Sequence, residues 1–282
     1  MNIIKKILPH DTFYNVVLYL DERGTPGTDK PFIVGGVLIY GNERNIADAW
    51  HSFSVDQALV GRKGTKLKAT DFLNISEFVI QYPILPVAVW SKLTNEEIKQ
   101  LRKVSREYEQ SKNPLKRVDK ISPAIWIWTR QVSQTVAYAE ASFLRHIGRI
   151  QTARLYVDRF IHQPELRTYY ETLLSQEQTS RDRFKMGAIK FGASVEIANL
   201  VSQAVPEVWN VDLNAKGPLS ELADISCAMF GRYYSGEYRE AWEVVKLRYT
   251  VDDNRFPVCI GGDATWTIRN YLEGMDALRQ QL

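Results

Sequence analysis

Three short segments carry acids where chemistry could use them. Tyr19-Leu20-Asp21-Glu22-Arg23-Gly24 puts a carboxylate at the end of an apolar, strand-like run, with a glycine turn directly behind it. A side chain there is held by rigid backbone at the rim of a sheet and open to water. Val157-Asp158 repeats the arrangement. In Ser220-Glu221-Leu222-Ala223-Asp224-Ile225 the two acids are three residues apart and share one helix face. Ala223 beside Asp224 leaves room for a close approach. Each segment alone also has a plain structural reading. Strand-end aspartates cap turns, and acids early in a helix favour its positive end. Three acids on separate apolar elements, in the order strand, strand, helix, point to a gathered set.

The ligand type then fixes the chemistry. Hard carboxylate oxygens with no thiolate beside them suit Mg²⁺ or Mn²⁺ rather than zinc. Carboxylates gathered together repel one another, and a dication offsets that cost. Two such ions about 3.5–4 Å apart activate a water and stabilise the leaving oxygen in phosphodiester cleavage.

Basic segments offer a path for a polyanion. Arg62, Lys63, Lys66 and Lys68 lie in a glycine-containing loop, Gly61–Lys68. Lys112, Lys116, Arg117 and Lys120 form a second cluster, and Arg181, Arg183, Lys185 and Lys190 a third. Any of them could contact phosphates or be a solvated face. Lys66 and Lys68 have the better functional case, because their loop follows the first pair of strands. That loop lacks the Gly-x-x-x-x-Gly-Lys-Ser/Thr pattern of a P-loop. His10, His51, His146 and His162 are scattered; His162 is a weak candidate for proton transfer. Trp126 and Trp128 read as core or interface residues before base-stacking ones.

The elements that must position these residues follow from patterning. Phe13–Leu20 and Phe32–Tyr40 read as an antiparallel pair of strands with an elaborate turn between them. Gly35-Gly36 reads as a bulge, or as a close approach of backbones. Ile84–Trp90 is strand-like, and Pro86 argues for an edge or a bulge. Thr94 with Glu97 is a capping box opening a helix to about Gln110. Ser122-Pro123 starts a long helix that runs to about Ile147. Ala153–Asp158 is a short buried strand, Pro164–Leu174 a helix and Val208–Leu213 a strand. Pro218 opens the helix holding Leu222, Ile225, Met229 and Phe230. Helices near 237–247 and 264–280 close the chain, with Gly261-Gly262-Asp263 as a turn and N-cap before the last.

The bulk numbers are consistent with this. The chain has 282 residues, 45% hydrophobic and 24% charged, with a net charge of +3. That is a globular composition, long enough to bury a core without disulfides. Its mild basicity neither demands nor excludes nucleic acid. The two cysteines, Cys227 and Cys259, read as buried free thiols, which fits a reducing cytoplasm. No apolar run approaches the ~20 residues of a membrane span. A single domain over 1–282 is expected, with a helical insertion near 94–150 and a helical extension near 237–282. The aromatic content (11%) allows a homo-oligomer or protein partner.

The Asp21-Glu22-Arg23-Gly24 ending of the first strand resembles the opening motif of the family called domain of unknown function 3800. That family begins with a strand ending Asp-Glu-Ser-Gly, continues with a Gly-containing apolar strand, and carries a Gln-Leu-Ala-Asp type helix near its end. Phe32–Tyr40 and Glu221-Leu222-Ala223-Asp224 stand in those places, and Val157-Asp158 resembles the family's middle acid. The resemblance covers roughly residues 14–235. It implies an α/β fold of the ribonuclease H type, a mixed sheet flanked by helices, and a metal-dependent nuclease acting on RNA or DNA. It makes Asp21, Asp158 and Asp224 the core trio, with Asp21 bridging the metals and Glu22 and Glu221 as further ligands. Arg23 replaces the family's serine and Glu221 its glutamine. Arg23 brings a cation to the site, to meet phosphate or to pair with Glu22. The alternative is a non-catalytic module of the same fold that binds nucleic acid or protein, in a mobile-element or phage-defence setting.

Overall fold

The computed structural model describes residues 10–25, 28, 30–110, 123–157, 180–190, 192–213, 216–237, 240, 243, 260–263, 269, 272 and 273. Its strands are β1 (Phe13–Arg23), β2 (Phe32–Ile39), β3 (Ile84–Ser91), β4 (Arg149–Val157), β5 (Asn210–Asp212) and β6 (Ile260–Asp263). They form one sheet in the order β5-β4-β1-β2-β3-β6. β1, β2 and β3 make an antiparallel meander; β4 lies parallel to β1, β5 parallel to β4, and β6 parallel to β3. This is one mixed sheet flanked by helices.

Sequence explains the layering. All eight residues of β2 are buried, as are Val16–Leu20 of β1 and most of β3. Strands buried on both faces read as near-continuous apolar runs, as these do. β4 differs. Ala153, Leu155 and Val157 are buried, whereas Thr152 and Arg154 are exposed. One face of β4 is therefore packed and the other open.

The described helices are α1 (Glu43–Asp56), α2 (Ala69–Gln81), α3 (Asn95–Gln110), α4 (Pro123–His146), α5 (Ser180–Lys190), α6 (Val195–Ser202) and α7 (Pro218–Tyr234). A short 3₁₀ turn covers Gly64–Lys66. α4 is pinned to the sheet by the buried Gln131. Its amide nitrogen donates to Phe32 O and Val89 O, each at 2.8 Å, and its oxygen accepts from Ser91 Oγ at 2.9 Å. α7 is apolar nearly all round, with Leu222, Ala223 and the whole run Ile225–Gly231 buried. Such a helix belongs in a core, and α7 packs along β1 and β2.

Several expectations change. The β1–β2 register runs without a break from Val17↔Ile39 to Arg23↔Ile33, so Gly35-Gly36 is no bulge. The glycines serve close approach instead: a Cβ on Gly36 would fall 1.9 Å from Tyr19 O. Gly261-Gly262-Asp263 lies in β6, beside β3, and is not a turn. Among the described residues β6 pairs with β3 from Ala88 to Trp90, and Pro86 lies before that pairing. β4 starts earlier than expected, at Arg149, and β5 is only three residues long. Helices α1, α2, α5 and α6 fill stretches that gave no expectation. Asp158, His162, Cys259, the Lys112–Lys120 cluster and the helix expected near 164–174 lie outside the described residues. No described helix is long and apolar enough to cross a membrane.

Candidate metal and nucleic-acid site

β1 runs three residues further than its apolar core, so Asp21, Glu22 and Arg23 are strand residues, paired with Gly35, Val34 and Ile33. Strand alternation therefore separates them. Asp21 and Arg23 share a face with Tyr19, and Glu22 takes the other. The Tyr19 face is the α7 side. Arg23 Nη1 donates to Ala228 O at 3.0 Å. A Cβ on Gly231 would lie 2.7 Å from Arg23 Cδ and Nε. Asp224, Cys227, Ala228 and Gly231 form one stripe of α7, because residues three and four apart are neighbours on a helix. Asp21 and Asp224 thus come to the same junction, between the end of β1 and the start of α7.

The buried thiol of Cys227 lies in that junction, its Sγ 4.0 Å from Ile33 O. Burial pushes its pKa well up, and the charges of Asp21, Glu22 and Asp224 push it further, against Arg23. The thiol stays protonated and supplies no thiolate. Burial and the neighbouring Arg232 pull Arg23 below its ordinary value, opposed by Cys227, Glu237 and Asp224.

The basic loop arrives at the same place. Gly64 N donates to Asp224 Oδ2 at 3.1 Å, across 160 residues of sequence. Arg232 Nη2 donates to Thr65 O at 3.1 Å, and Leu67 is buried. Arg62 is committed to the loop itself, reaching Lys66 O at 3.3 Å and Asp71 at 3.4 Å. Lys63, Lys66 and Lys68 remain exposed. Lys68 lies at the start of α2, where its backbone N–H donates to Asp71 Oδ2 at 2.8 Å.

A second cluster flanks the junction on the same sheet face. Tyr19 and Tyr156, paired in register, stack with ring centroids 4.9 Å apart. Tyr19 OH donates to Glu43 Oε1, and Arg154 pairs with Glu43. Burial and Glu43 raise the Tyr19 phenol far above its ordinary pKa.

The sequence-expected residues fall out as follows. Asp21, Arg23, Asp224 and the Lys66 loop are brought together. Glu22 lies on the opposite strand face from Asp21. Glu221 is in the first turn of α7, exposed. Asp158 is outside the described residues. Trp128 is fully buried, a core residue, while Arg130 lies over the Trp126 ring. Gly64, Cys227 and Arg232 carried no sequence signal as site residues. Their roles come from contacts between distant segments.

Asp21 and Asp224 fit a hard dication in donor chemistry, since both offer carboxylate oxygen. Among the described residues, no three of His, Cys, Asp and Glu are grouped closely enough to hold an ion. A metal centre here therefore needs a further ligand beyond them.

What the fold and the junction define is an α/β protein with a six-stranded mixed sheet and two acids near its rim. No family model matches the chain, and no curated protein matches it. Among solved structures it is similar to a chain of the PCNA–RNase HII complex from Archaeoglobus fulgidus, with 13% identity and a TM-score of 0.39, over 94% of this chain and 89% of that one.

Proposed function

We propose that the protein is a divalent-metal-dependent nuclease, related to the domain of unknown function 3800 family, that cleaves phosphodiester bonds in RNA or DNA. The observation that carries this reading is that Asp224 meets the exposed lysine loop at Gly64, while Asp21 and Asp224 both act on the buried Cys227 thiol between β1 and α7. Asp158 is the natural third ligand. Val157 pairs in parallel with Leu20, the residue before Asp21. Asp21, Asp158 and Asp224 would hold Mg²⁺ or Mn²⁺, with the exposed Glu221 in reserve. When bound, the metal supplies Lewis-acid activation of water and neutralises charge on the phosphodiester. Lys66 and Lys68 hold the substrate backbone. Arg23, tied to Ala228 O, contributes its charge from behind the acids.

The test is cleavage of single- and double-stranded RNA and DNA by the full chain, with Mg²⁺, Mn²⁺ or chelator. Metal-dependent cleavage is expected, reduced roughly 100-fold or more in Asp21→Asn and in Asp158→Asn, since even ligand-supporting residues are worth about 10–100-fold. Cleavage unchanged in both variants would overturn the reading.

Two observations favour a second reading, a non-catalytic nucleic-acid-binding module. Arg23 already places a fixed cation beside Asp224, and the described acids do not by themselves close a metal group. Salt-sensitive oligonucleotide binding without turnover in any metal would select it.

A further inference from the structure

Asp224 makes a contact that a metal ligand alone would not need. Its Oδ2 accepts from the backbone N–H of Gly64, the first residue of the 3₁₀ turn in the basic loop. That turn is seated directly on α7. A Cβ on Gly64 would lie 2.5 Å from Ala228 Cβ, 3.1 Å from Ile225 Cα and 3.2 Å from Asp224 O. Only glycine lets the backbone come close enough to present its N–H. The seat has two further anchors, Arg232 to Thr65 O and the burial of Leu67. The loop is thus fixed at Gly64 and just after it, and its amide is a donor aimed at one oxygen of Asp224.

A carboxylate with one oxygen held by a fixed donor loses rotational freedom and presents its other oxygen in a set direction. Donors behind a ligand act this way in metal sites, and losing one costs about 10–100-fold in affinity. We infer that Gly64 is a positioning residue for the Asp224 carboxylate, so that seating of the basic loop and metal affinity are two faces of one contact. The inference rests on the nuclease reading, in which Asp224 is a metal ligand. It goes beyond that reading by tying the substrate-binding loop to the ion through a single hydrogen bond. Coupling between sites is reciprocal. A polyanion that steadies the loop on Lys63 and Lys66 therefore tightens metal binding, and the metal tightens hold on the polyanion.

Mn²⁺ binding to the full chain, followed by the electron paramagnetic resonance of free Mn²⁺, tests this without any turnover. Thermal unfolding is run beside it. Asp224→Asn keeps an oxygen that accepts from Gly64 N–H but removes the charge. It should leave the melting temperature near the parent's and weaken Mn²⁺ at least about tenfold. Gly64→Ala should weaken Mn²⁺ roughly 10–100-fold. Gly64→Ala combined with Ala228→Gly removes the 2.5 Å crowding and should recover most of the loss; it also covers the case in which Gly64→Ala alone fails to fold.

Parent-like Mn²⁺ affinity in a folded Gly64→Ala protein overturns the inference and leaves the nuclease reading intact. So does a loss that Ala228→Gly fails to correct. Unchanged Mn²⁺ affinity in Asp224→Asn makes that residue a loop clamp only. A parent protein that binds no Mn²⁺ overturns the nuclease reading together with the inference.

Discussion

At the scale of single residues, the strand alternation at the end of β1 does most to define the site. Asp21 and Arg23 turn toward α7, and Glu22 turns away, although the three are consecutive. Glu22→Gln is therefore expected to keep metal-dependent activity within about threefold of the parent, against the far larger loss in Asp21→Asn. Equal losses in kcat for the two would contradict the alternation. Arg23 is a packed residue as much as a charged one, lying across Gly231 and bonded to Ala228 O. Gly231→Ala should push the guanidinium off that seat and cost about 1–2 kcal/mol, the scale of modest overpacking plus one lost hydrogen bond. Urea unfolding of the variant beside Arg23→Met checks this; if Arg23 is the cause, the two substitutions together cost less than their sum. Sequence marked Asp21 and Asp224 because each closes or opens an apolar element. It could not mark Gly64 or Cys227, whose importance exists only once residues far apart in the chain touch.

At the scale of elements, α4 is tied to the sheet by two buried side chains, Gln131 and Thr135, whose Oγ1 donates to Val34 O at 3.2 Å. Gln131 bridges β2 and β3 through three hydrogen bonds inside the core. Gln131→Leu leaves two backbone carbonyls and a serine hydroxyl short of a partner, and at about 1 kcal/mol per bond the expected loss is roughly 3 kcal/mol in a urea melt. The end of the same helix carries a pH dependence. His146 is half-buried near Arg145 and His10, and burial, then its electrostatic interaction with those two neighbours, brings its pKa down to about 4. The folded form keeps it neutral, so the unfolded chain binds the extra proton between pH 6.5 and about 4. Stability from this residue is complete above pH 6.5 and declines as pH falls through that window. His146→Gln should flatten the fall in melting temperature between those pH values; an unchanged slope would assign it to other groups. Most elements were legible where periodicity was strong, as in β1, β2, β3, α4 and α7. α1 also shows spacing of four in Ile46, Trp50 and Ser54, yet its mean polarity hid it. β6 was misread because Gly-Gly-Asp is turn chemistry in isolation, and only the neighbouring β3 makes it a strand.

At the scale of the whole molecule, the net charge of +3 says little, whereas its placement says more. Lys63, Lys66 and Lys68 project from a loop seated against the acid junction. If they meet phosphates, replacing all three by alanine should weaken oligonucleotide binding for every sequence alike. The slope of log affinity against log salt should fall by about 2–3, near 0.7–0.9 per contact removed. Fluorescence anisotropy across a salt series measures it, and an unaltered slope would move the polyanion path elsewhere. Beyond the first antiparallel pair, the sheet order was not legible in the patterning. Short apolar runs show that strands exist, but neighbours are chosen by long-range packing, which a linear pattern does not encode.

The sheet's flanks have their own consequence. Its inner strands run eight to eleven residues, while the outermost described strands, β5 and β6, have three and four. Among the described residues these outermost strands are short, and short outer strands offer little backbone of their own for another chain to pair with. The wholly buried β2 and the apolar stretch of β1 lie at the centre of the ribbon, two strands in from either described flank.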